Sequence, residues 1–474
     1  MIRSADLIVL GAGPAGANAA ITAAAQGLDV VIVEEAFAAG GQVWRAPWPG
    51  LDKISTSAEA KKGDALRAAL VRSGVEVRMG RRAWSVTDRF RLDAIGPEGN
   101  ETVEAPRLIA ATGAHERVIP FPGWTLPGVV GLAAATILQK AHGVLPGRRV
   151  VVAGRGPLLA AVAAGIVAKG GTVAAVIDAA PRRQWLAQAG ALASRPELAV
   201  RGAAWVARLL AARVPILSGH GIVRADGKNS LSRVVVAQVD TDGAFTDGAE
   251  QVFEADALCI GHGLVPGAEI PRLLRADLTF DRRRGGFIPV MDNCGRTSVP
   301  GLYAAGDGAG IRGADAAVIA GQLAGIAAAL DRGQISEATG KALIAPLQAA
   351  MARLGRFSDA MADQMALRPA QALAISSDTI ICRCEDVTRA EIDAAAGNGA
   401  REVNQLKHFT RCGMGPCQGR MCGDVAAELL AAHAGSREAA GYWTGRPPLR
   451  PVALDAMLGT FDYDDIPIPE PAPL

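Results

Sequence analysis

A pattern that occurs twice limits the possible folds of this chain: an apolar run, a glycine-rich turn, a run of small residues, and a second apolar run that ends in an acid. The first copy places the turn Gly11-Ala12-Gly13-Pro14-Ala15-Gly16 after the apolar residues 5–10 and ends at Glu34. The second copy runs from residue 149 to Asp178. A helix-length segment between two short apolar runs predicts a strand–helix–strand unit with parallel strands. We therefore predict an α/β fold with two dinucleotide-binding domains.

The first glycine turn has the residues that a pyrophosphate requires. Gly11 allows the tight turn, Gly13 lets the backbone approach the phosphates, and Gly16 lets the helix pack close to the strand. The N-terminus of the predicted helix, residues 15–26, offers free N–H groups to the anion. An acid about 20 residues beyond the first glycine accepts hydrogen bonds from a ribose. The predicted cofactor-binding residues of this unit are Gly11, Gly13, Pro14, Ala15, Gly16, Glu34 and Glu35.

The second Rossmann-like turn, Gly154-Arg155-Gly156, is imperfect. Leu159 stands where the third glycine belongs, and its side chain would push the helix away from the strand. Asp178 still offers a carboxylate to a ribose, and Arg182 with Arg183 offers charge to a phosphate. This pattern leaves three interpretations open: an NAD(P) site, a site for ATP or another nucleotide, and a fold without a nucleotide.

Five of the seven cysteines lie between residues 382 and 422. Clustered cysteines in a chain from a reducing compartment predict metal ligands rather than disulfides. Four thiolates suit a [2Fe–2S] cluster and also zinc. The glycines among the cysteines favour iron, because their exposed N–H groups donate to cluster sulfurs. Four basic residues that could offset the cluster's negative charge are Arg383, Lys407, Arg411 and Arg420.

The first half resembles the two-dinucleotide-domain flavoproteins of the disulfide reductase type. The resemblance is carried by the glycine turn, Gly40-Gly41-Gln42, Ala111-Thr112-Gly113 and Ala304-Ala305-Gly306-Asp307. It implies FAD at the first site and adds six cofactor-binding residues: Gly41, Gln42, Thr112, Gly113, Gly306 and Asp307. The redox cysteine pair of such reductases is missing from both of its usual places, so we do not expect disulfide reduction. The isolated Cys259 and Cys294 lie in apolar surroundings and are predicted to be structural.

The cysteine segment resembles the domain of bacterioferritin-associated ferredoxin, which binds a [2Fe–2S] cluster through a Cys-x-Cys pair and a distant second pair. That resemblance implies Cys382, Cys384, Cys417 and Cys422 as the metal ligands and makes Cys412 a bystander. The spacing alone leaves a second choice, in which Cys412 and Cys417 form the second pair.

Nearly the whole chain resembles the flavin-bearing A or alpha subunits of bacterial amine and amino-acid dehydrogenases, a group that includes opine oxidases, dye-linked proline and hydroxyproline dehydrogenases and hydrogen cyanide synthase. The segments that carry this resemblance are 111–117, 120–129, 306–310, Cys382-Arg383-Cys384-Glu385 and Gly413-Met414-Gly415-Pro416-Cys417-Gln418-Gly419-Arg420. It implies that a separate beta subunit with its own flavin oxidises the substrate, that a small gamma subunit can be present, and that this chain relays electrons. It also leaves open a second nucleotide, ATP or NAD(P), or an FMN shared at the subunit interface.

The residues themselves agree with a relay. No carboxylate pair, Ser/His/Asp set or Cys/His nucleophile occurs at a useful spacing, so no catalytic residue is predicted. One alternative is a self-contained NAD(P)H-dependent reductase that passes electrons out through the cluster. Another is a nucleotide-sensing scaffold that holds zinc.

Composition and segment order complete the expectations. The net charge of +2 indicates no nucleic-acid partner, and no apolar run approaches the roughly 20 residues of a membrane span. We expect a cytoplasmic protein. The predicted division is a flavin domain in two parts (1–122 and 286–335), a second nucleotide domain (123–285), a helical linker (336–376), a small helical [2Fe–2S] domain (377–435) and an extended tail (436–474).

Overall fold

The structure is a computed structural model that describes residues 2–51 and 57–457. The proline-rich end of the predicted tail, residues 466–474, lies outside the described residues.

The strands of the described residues alternate with helices through the first two thirds of the chain. In chain order they are β1 Ile2–Ser4, β2 Leu7–Leu10, β3 Val30–Glu34, β4 Glu76–Met79, β5 Arg82–Val86, β6 Arg91–Gly96, β7 Gly99–Glu104, β8 Leu108–Ala110, β9 Ala114–Glu116, β10 Val129–Gly131, β11 Arg149–Gly154, β12 Thr172–Asp178, β13 Ile216–Ser218, β14 His220–Asp226, β15 Arg233–Gln238, β16 Gln251–Glu254, β17 Ala257–Gly261, β18 Leu264–Pro266, β19 Leu278–Asp281, β20 Gly286–Pro289, β21 Leu302–Ala304, β22 Ile380–Cys382 and β23 Val387–Thr388.

The helices become longer and more frequent toward the C-terminus. They are α1 Pro14–Ala25, α2 Ala58–Arg72, α3 Leu132–Ala141, α4 Leu158–Ala168, α5 Arg182–Ala187, α6 Ala189–Ala193, α7 Pro196–Ala211, α8 Glu269–Leu273, α9 Ala314–Asp331, α10 Glu337–Met365, α11 Pro369–Leu373, α12 Arg389–Gly397, α13 Val403–Thr410, α14 Gly423–Ala434, α15 Arg437–Ala440 and α16 Leu454–Met457, with 3₁₀ turns at Asp88–Phe90 and Gly306–Ala309.

The first domain is built on a parallel sheet with the strand order β21-β8-β2-β3-β4. Its central strand β2 is fully buried, as expected for a parallel sheet covered by helices. Strand β21 comes from far along the chain and pairs with β8, so the first domain is completed after the second has been formed. This sheet aligns the glycine turn after β2 with the ends of β8 and β21.

Small residues let two helices of the first domain approach each other closely. A Cβ at Gly321 of α9 would lie 2.0 Å from the carbonyl oxygen of Ala15 in α1, and a Cβ at Gly325 would lie 2.5 Å from that of Ala19. By length and composition α9 is also apolar enough to cross a membrane, but 56% of it is buried inside the protein. Its contact with α1 accounts for that composition as a core helix.

The second domain repeats the plan with the parallel order β10-β17-β11-β12-β13, crossed by the antiparallel sheet β14-β15-β16. The predicted second copy of the pattern is confirmed as β11, α4 and β12. The C-terminal unit is mainly helical: α12, α13 and α14 surround an apolar core to which the hairpin β22–β23 contributes Cys382.

The predicted α/β fold class is confirmed, and the element bounds agree closely. The helix predicted over residues 15–26 is observed as Pro14–Ala25, and the one predicted over 335–365 as Glu337–Met365. The part of the predicted tail that is described is not free: its residues 441–449 lie against the cysteine segment and the first domain.

Candidate cofactor site and metal centre

The first glycine turn is held by backbone contacts that only glycine permits. Gly11 has φ +103°, and a Cβ there would lie 2.4 Å from the carbonyl oxygen of Ala111. A Cβ at Gly16 would lie 1.8 Å from the carbonyl oxygen of Gly11. These two glycines therefore serve the tight turn and the close approach of α1 to the strands, as the pattern predicts.

Gly13 serves a different purpose, because a Cβ there would meet only the Cα of Gly41, at 3.8 Å. Gly13 is also the N-cap of α1, which has no side-chain cap and begins with Pro14. The free N–H groups of this helix end have the geometry that binds a phosphate. The sheltered backbone between Gly13 and Gly41 thus fits a pyrophosphate.

Of the two predicted acids, only Glu34 lies at the turn. Its carboxylate accepts hydrogen bonds from the N–H groups of Ala12 (2.6 Å) and Ala36 (2.7 Å). Glu35 is exposed and forms an ion pair with Arg82 at 3.1 Å. The alternation of side chains along β3 explains this difference, because neighbouring residues of a strand point to opposite faces.

The other predicted motifs meet at the same turn. A Cβ at Gly308 would lie 2.8 Å from Thr112 Oγ1, and one at Gly306 would lie 2.7 Å from the Cβ of Ala15. Asp307 Oδ1 accepts from the N–H groups of Arg312 (3.0 Å) and Gly313 (3.1 Å), while burial raises the pKa of its carboxyl. Three segments far apart in sequence thus form one site.

Arg45 is a residue that the sequence analysis missed. Its side chain lies near Glu34, its Nη2 donates to Gln42 Oε1 at 2.6 Å, and its buried Nε has no hydrogen-bond partner among the described residues. Burial lowers the pKa of this guanidinium. A cation beside the phosphate-binding turn suits a dinucleotide, and the only sequence signal was its nearness to the Gly-Gly-Gln motif.

The second glycine turn is covered by the end of α10. A Cβ at Gly156 would lie 2.9 Å from Met365 Cγ, and one at Gly263 would lie 2.5 Å from the Met365 carbonyl oxygen. Arg117 Nη1 donates to that carbonyl at 2.9 Å. Met365 therefore occupies the space through which a pyrophosphate would approach Gly156.

The second predicted ribose acceptor, Asp178, is used within its own domain. Its Oδ1 accepts from Ala180 N–H at 2.9 Å and its Oδ2 accepts from Trp185 Nε1 at 2.8 Å. Burial raises the pKa of Asp178 to about 6. Arg182 and Arg183 are exposed on α5.

The cysteine segment brings its thiols into two neighbouring groups. The sulfur atoms of Cys382, Cys412 and Cys422 all lie within 4.8 Å of one another and are buried. Cys384 and Cys417, which are only partly buried, interact with each other. Cys412 lies inside the first group, which its interpretation as a bystander did not anticipate; the ligand set Cys382, Cys384, Cys417 and Cys422 stays a prediction.

The first group shares negative charge among its sulfurs. Hydrogen bonds from the thiols of Cys412 and Cys422 lower the pKa of Cys382 to about 2, helped by the backbone N–H groups of Gly413 and Glu385. The same contacts raise the pKa of Cys412 and Cys422. Several thiolates so close together require a cation between them, which is the property of a metal site.

Glycines and one tryptophan form a close cover around these cysteines. A Cβ at Gly415 would lie 2.2 Å from the Cβ of Cys384. A Cβ at Gly413, Gly419 or Gly423 would meet the indole of Trp443, at 3.1, 2.7 and 2.4 Å. The thiol donors, the aimed N–H groups and this glycine cradle fit a metal centre.

Charged side chains join the cysteine unit to the two nucleotide domains. Arg117 Nε donates to Asp424 Oδ2 at 2.6 Å, and Arg282 Nη2 donates to Glu428 Oε1 at 2.9 Å. Trp124 Nε1 donates to the carbonyl oxygen of Ile380 at 2.7 Å. The cysteine group therefore lies firmly against the domains that precede it.

Two family profiles match the chain. The profile described as pyridine nucleotide-disulphide oxidoreductase matches residues 5–324, and the sarcosine oxidase A3 domain matches residues 376–460. The second match covers the whole cysteine segment and continues through Trp443.

Curated relatives match over almost the full length. The chain is 35% identical to the opine oxidase A subunit of Rhizobium meliloti (95% of this chain, 97% of the relative) and 32% identical to the HcnB subunit of hydrogen cyanide synthase from Pseudomonas protegens (96% and 97%). The alpha subunit of sarcosine oxidase from Corynebacterium sp. is 28% identical over 96% of this chain and 45% of its own length.

Solved structures agree in fold. The crystal structure of L-proline dehydrogenase from P. horikoshii superimposes with a TM-score of 0.69 at 20% identity, covering 97% of this chain and 81% of that chain. Thioredoxin reductase from T. acidophilum covers 70% of this chain and 100% of its own, with a TM-score of 0.51 at 22% identity.

Proposed function

The chain belongs to the pyridine nucleotide-disulphide oxidoreductase family and, within it, to the flavin-bearing alpha subunits of amine and amino-acid dehydrogenases, and from this premise we propose that it relays electrons through FAD and a [2Fe–2S] cluster. The substrate, an amine, imino acid or opine of the proline, hydroxyproline or opine class, would be oxidised on a partner beta subunit. The observation that carries this proposal is the buried group of Cys382, Cys412 and Cys422 lying against a flavoprotein fold.

The residues at the first glycine turn support the flavin. The N–H groups of α1 and the backbone at Gly13 and Gly41 would hold the pyrophosphate, Glu34 the ribose, and Thr112, Gly113 and Asp307 the remainder of the cofactor. Bound FAD would supply the ability to take up an electron pair and release electrons singly.

The cysteine segment supports the cluster. Four of its five thiolates would hold two irons, and the N–H groups of Gly413 and Glu385 lower the cost of negative charge on sulfur. A [2Fe–2S] cluster would supply one-electron transfer. Seven free cysteines and a metal centre of this kind suit a reducing compartment, so we place the protein in the cytoplasm.

The relatives named as lettered or Greek-lettered subunits support partners for this chain. We propose a flavin-bearing beta subunit, with room for a small gamma subunit. Anaerobic purification of the complex, followed by assays of iron, acid-labile sulfide and released nucleotide, tests the cofactors. Assays with proline, hydroxyproline and opines test the substrate. Iron-free protein or zinc at the cysteines would overturn the cluster, and absence of FAD would overturn the flavin.

Replacing Gly13 by alanine is expected to remove FAD while leaving the fold intact. Gly13 has φ −69°, which alanine tolerates, and its new Cβ would have no protein atom closer than 3.8 Å. The methyl group would fill the space where the pyrophosphate approaches, so retained FAD should fall by about tenfold or more. The free energy of unfolding of the apoprotein should change by only about 1 kcal/mol, the cost of a poorer helix cap.

The matched control is Gly202→Ala in α7, where a Cβ meets no atom within 4 Å. It should retain FAD fully, as measured by flavin fluorescence after heat release. Equal FAD content in Gly13→Ala and Gly202→Ala would place the nucleotide elsewhere.

The contact between Met365 and Gly156 argues against the self-contained NAD(P)H reductase. We expect NADH and NADPH, added anaerobically to purified protein, to leave the visible flavin band unchanged, because their pyrophosphate cannot reach the second turn. Dithionite is the positive control and should bleach the band. Bleaching by either nicotinamide nucleotide at a catalytically useful rate would restore the reductase interpretation.

A further inference from the structure

A small cavity lies between the first domain and the cysteine unit. Its volume is ≈ 70 Å³, and it is bounded by β9, α8, β20, the start of α14 and residues 441–443. The polar side chains that line it include His115, Glu269, Arg272, Asp424, Arg437 and Trp443. On this measure about 10–15 Å³ holds one water molecule, so the cavity accommodates a group of a few heavy atoms and no nucleotide.

The two acids that line the cavity are already neutralised. Glu269 Oε1 lies 2.7 Å from Arg420 Nε, and Asp424 is bound by Arg117 at 2.6 Å and faces Arg437 at 3.5 Å. Neither carboxylate is left to balance a further cation.

Arg272 is that further cation. Its guanidinium forms no hydrogen bond or ion pair with the part of the chain that the structure describes, and it lies over the ring of Tyr442, 5.0 Å from the centroid. Burial lowers the pKa of Arg272, which means that its charge is poorly solvated where it stands. A buried cation without an anion is costly, so native structures pair such groups.

Two other donors face the same cavity without acceptors among the described residues. Arg437, which is 7% exposed, has an unbonded Nε whose nearest carboxylate oxygen, on Glu428, is 3.9 Å away. The indole Nε1 of Trp443 is buried and unbonded as well. Three donors from three elements therefore converge on one cavity that holds a surplus positive charge.

We propose that this cavity binds a small oxyanion, a phosphate or a carboxylate, through Arg272, Arg437 and Trp443. The anion would satisfy the three donors and neutralise Arg272. Because α8 belongs to the first domain and Trp443 covers the cysteines, the bound anion would also strengthen the contact between them. This site is independent of the substrate and of the cofactors proposed above.

The experiment measures thermal unfolding of the purified holoprotein in chloride buffer at constant ionic strength, with phosphate or acetate added in increasing amounts. A specific anion raises the melting temperature with a saturable dependence on its concentration. We expect this rise in the wild type and at least about tenfold weaker binding in Arg272→Met, since one buried charge partner is lost. The phosphate and acetate titrations decide which oxyanion binds more tightly.

Arg275→Met is the matched control, because Arg275 is the exposed arginine that follows closely on the same segment. It should respond like the wild type. Trp443→Phe, which keeps the ring and removes the N–H group, should weaken binding several-fold and decides the matter if Arg272→Met does not fold. An equal response of all variants to both oxyanions, or no saturable response of the wild type, would overturn the proposal.

Discussion

Cys382→Ser is expected to lose the metal centre and keep the flavin. Cys382 belongs both to the predicted ligand set and to the buried group of three thiols, and its pKa is lowered to about 2 by its neighbours, so it is the sulfur best prepared to bind as a thiolate. A serine hydroxyl does not ionise in this way. Metal content should fall by more than about tenfold, because even the outer partners of a metal ligand cost about 10–100-fold in affinity.

The measurements are iron per chain, the electron paramagnetic resonance signal of the reduced protein and the amount of FAD released. Cys294→Ser, in an isolated buried cysteine of the first domain, is the matched control and should keep both cofactors. Full iron content in Cys382→Ser would contradict a thiolate metal centre at this place.

The remaining cysteines decide the ligand set. The prediction from the resemblance is that serine at Cys384, Cys417 or Cys422 removes iron and serine at Cys412 does not. Cys412 lies within 4.8 Å of two other sulfurs, so the structure also permits the second choice that the spacing left open. Loss of iron in Cys412→Ser with retention in Cys422→Ser would replace Cys422 by Cys412.

Arg117→Met is expected to lower the free energy of unfolding by about 3–5 kcal/mol, because it leaves a buried carboxylate without its closest partner. The Arg117 side chain is 2% exposed and that of Asp424 12%. Burial pushes the pKa of Asp424 upward, whereas Arg117 and Arg437 lower it overall, so the carboxylate depends on these cations. Arg117 also donates to three backbone carbonyls, those of His262, Gly285 and Met365.

Chemical denaturation of the holoprotein gives the change in unfolding free energy. Arg117→Lys keeps the charge without the planar fork and should fall between the wild type and Arg117→Met. The control is Arg332→Met, because the pair Arg332–Asp6 is half exposed and should contribute only about 0–1 kcal/mol. A smaller effect at Arg117 than at Arg332 would mean that the buried network does not hold the cysteine unit in place.

Much of the first site could be predicted because its signals are local. The roles of Gly11 and Gly16 follow from where a βαβ turn needs a residue without a side chain, and both contacts are observed. Glu34 lies at the turn as its spacing from Gly11 predicts, whereas Glu35 does not, since strand alternation turns it toward Arg82. Arg45 was missed because its approach to the turn depends on the path of an irregular loop.

The second site shows the opposite case. The sequence left NAD(P), ATP or no nucleotide open, because Leu159 weakens the glycine pattern without deciding it. The deciding residue, Met365, lies in another segment and reaches Gly156 only through the packing of α10 on the second domain. No local pattern could have revealed that contact.

The sequence by itself therefore determined the two βαβ units, the order of the flavin motifs and the presence of a thiolate metal segment, because each depends on residues close together in the chain. Only the tertiary structure decided which side chains meet: Cys412 with Cys382 and Cys422, Trp443 over the cysteine loop, and Arg272 without a partner at its cavity. Such meetings are set by long-range packing of buried charges and ring surfaces, whose energies depend on distances that neither spacing nor composition specifies.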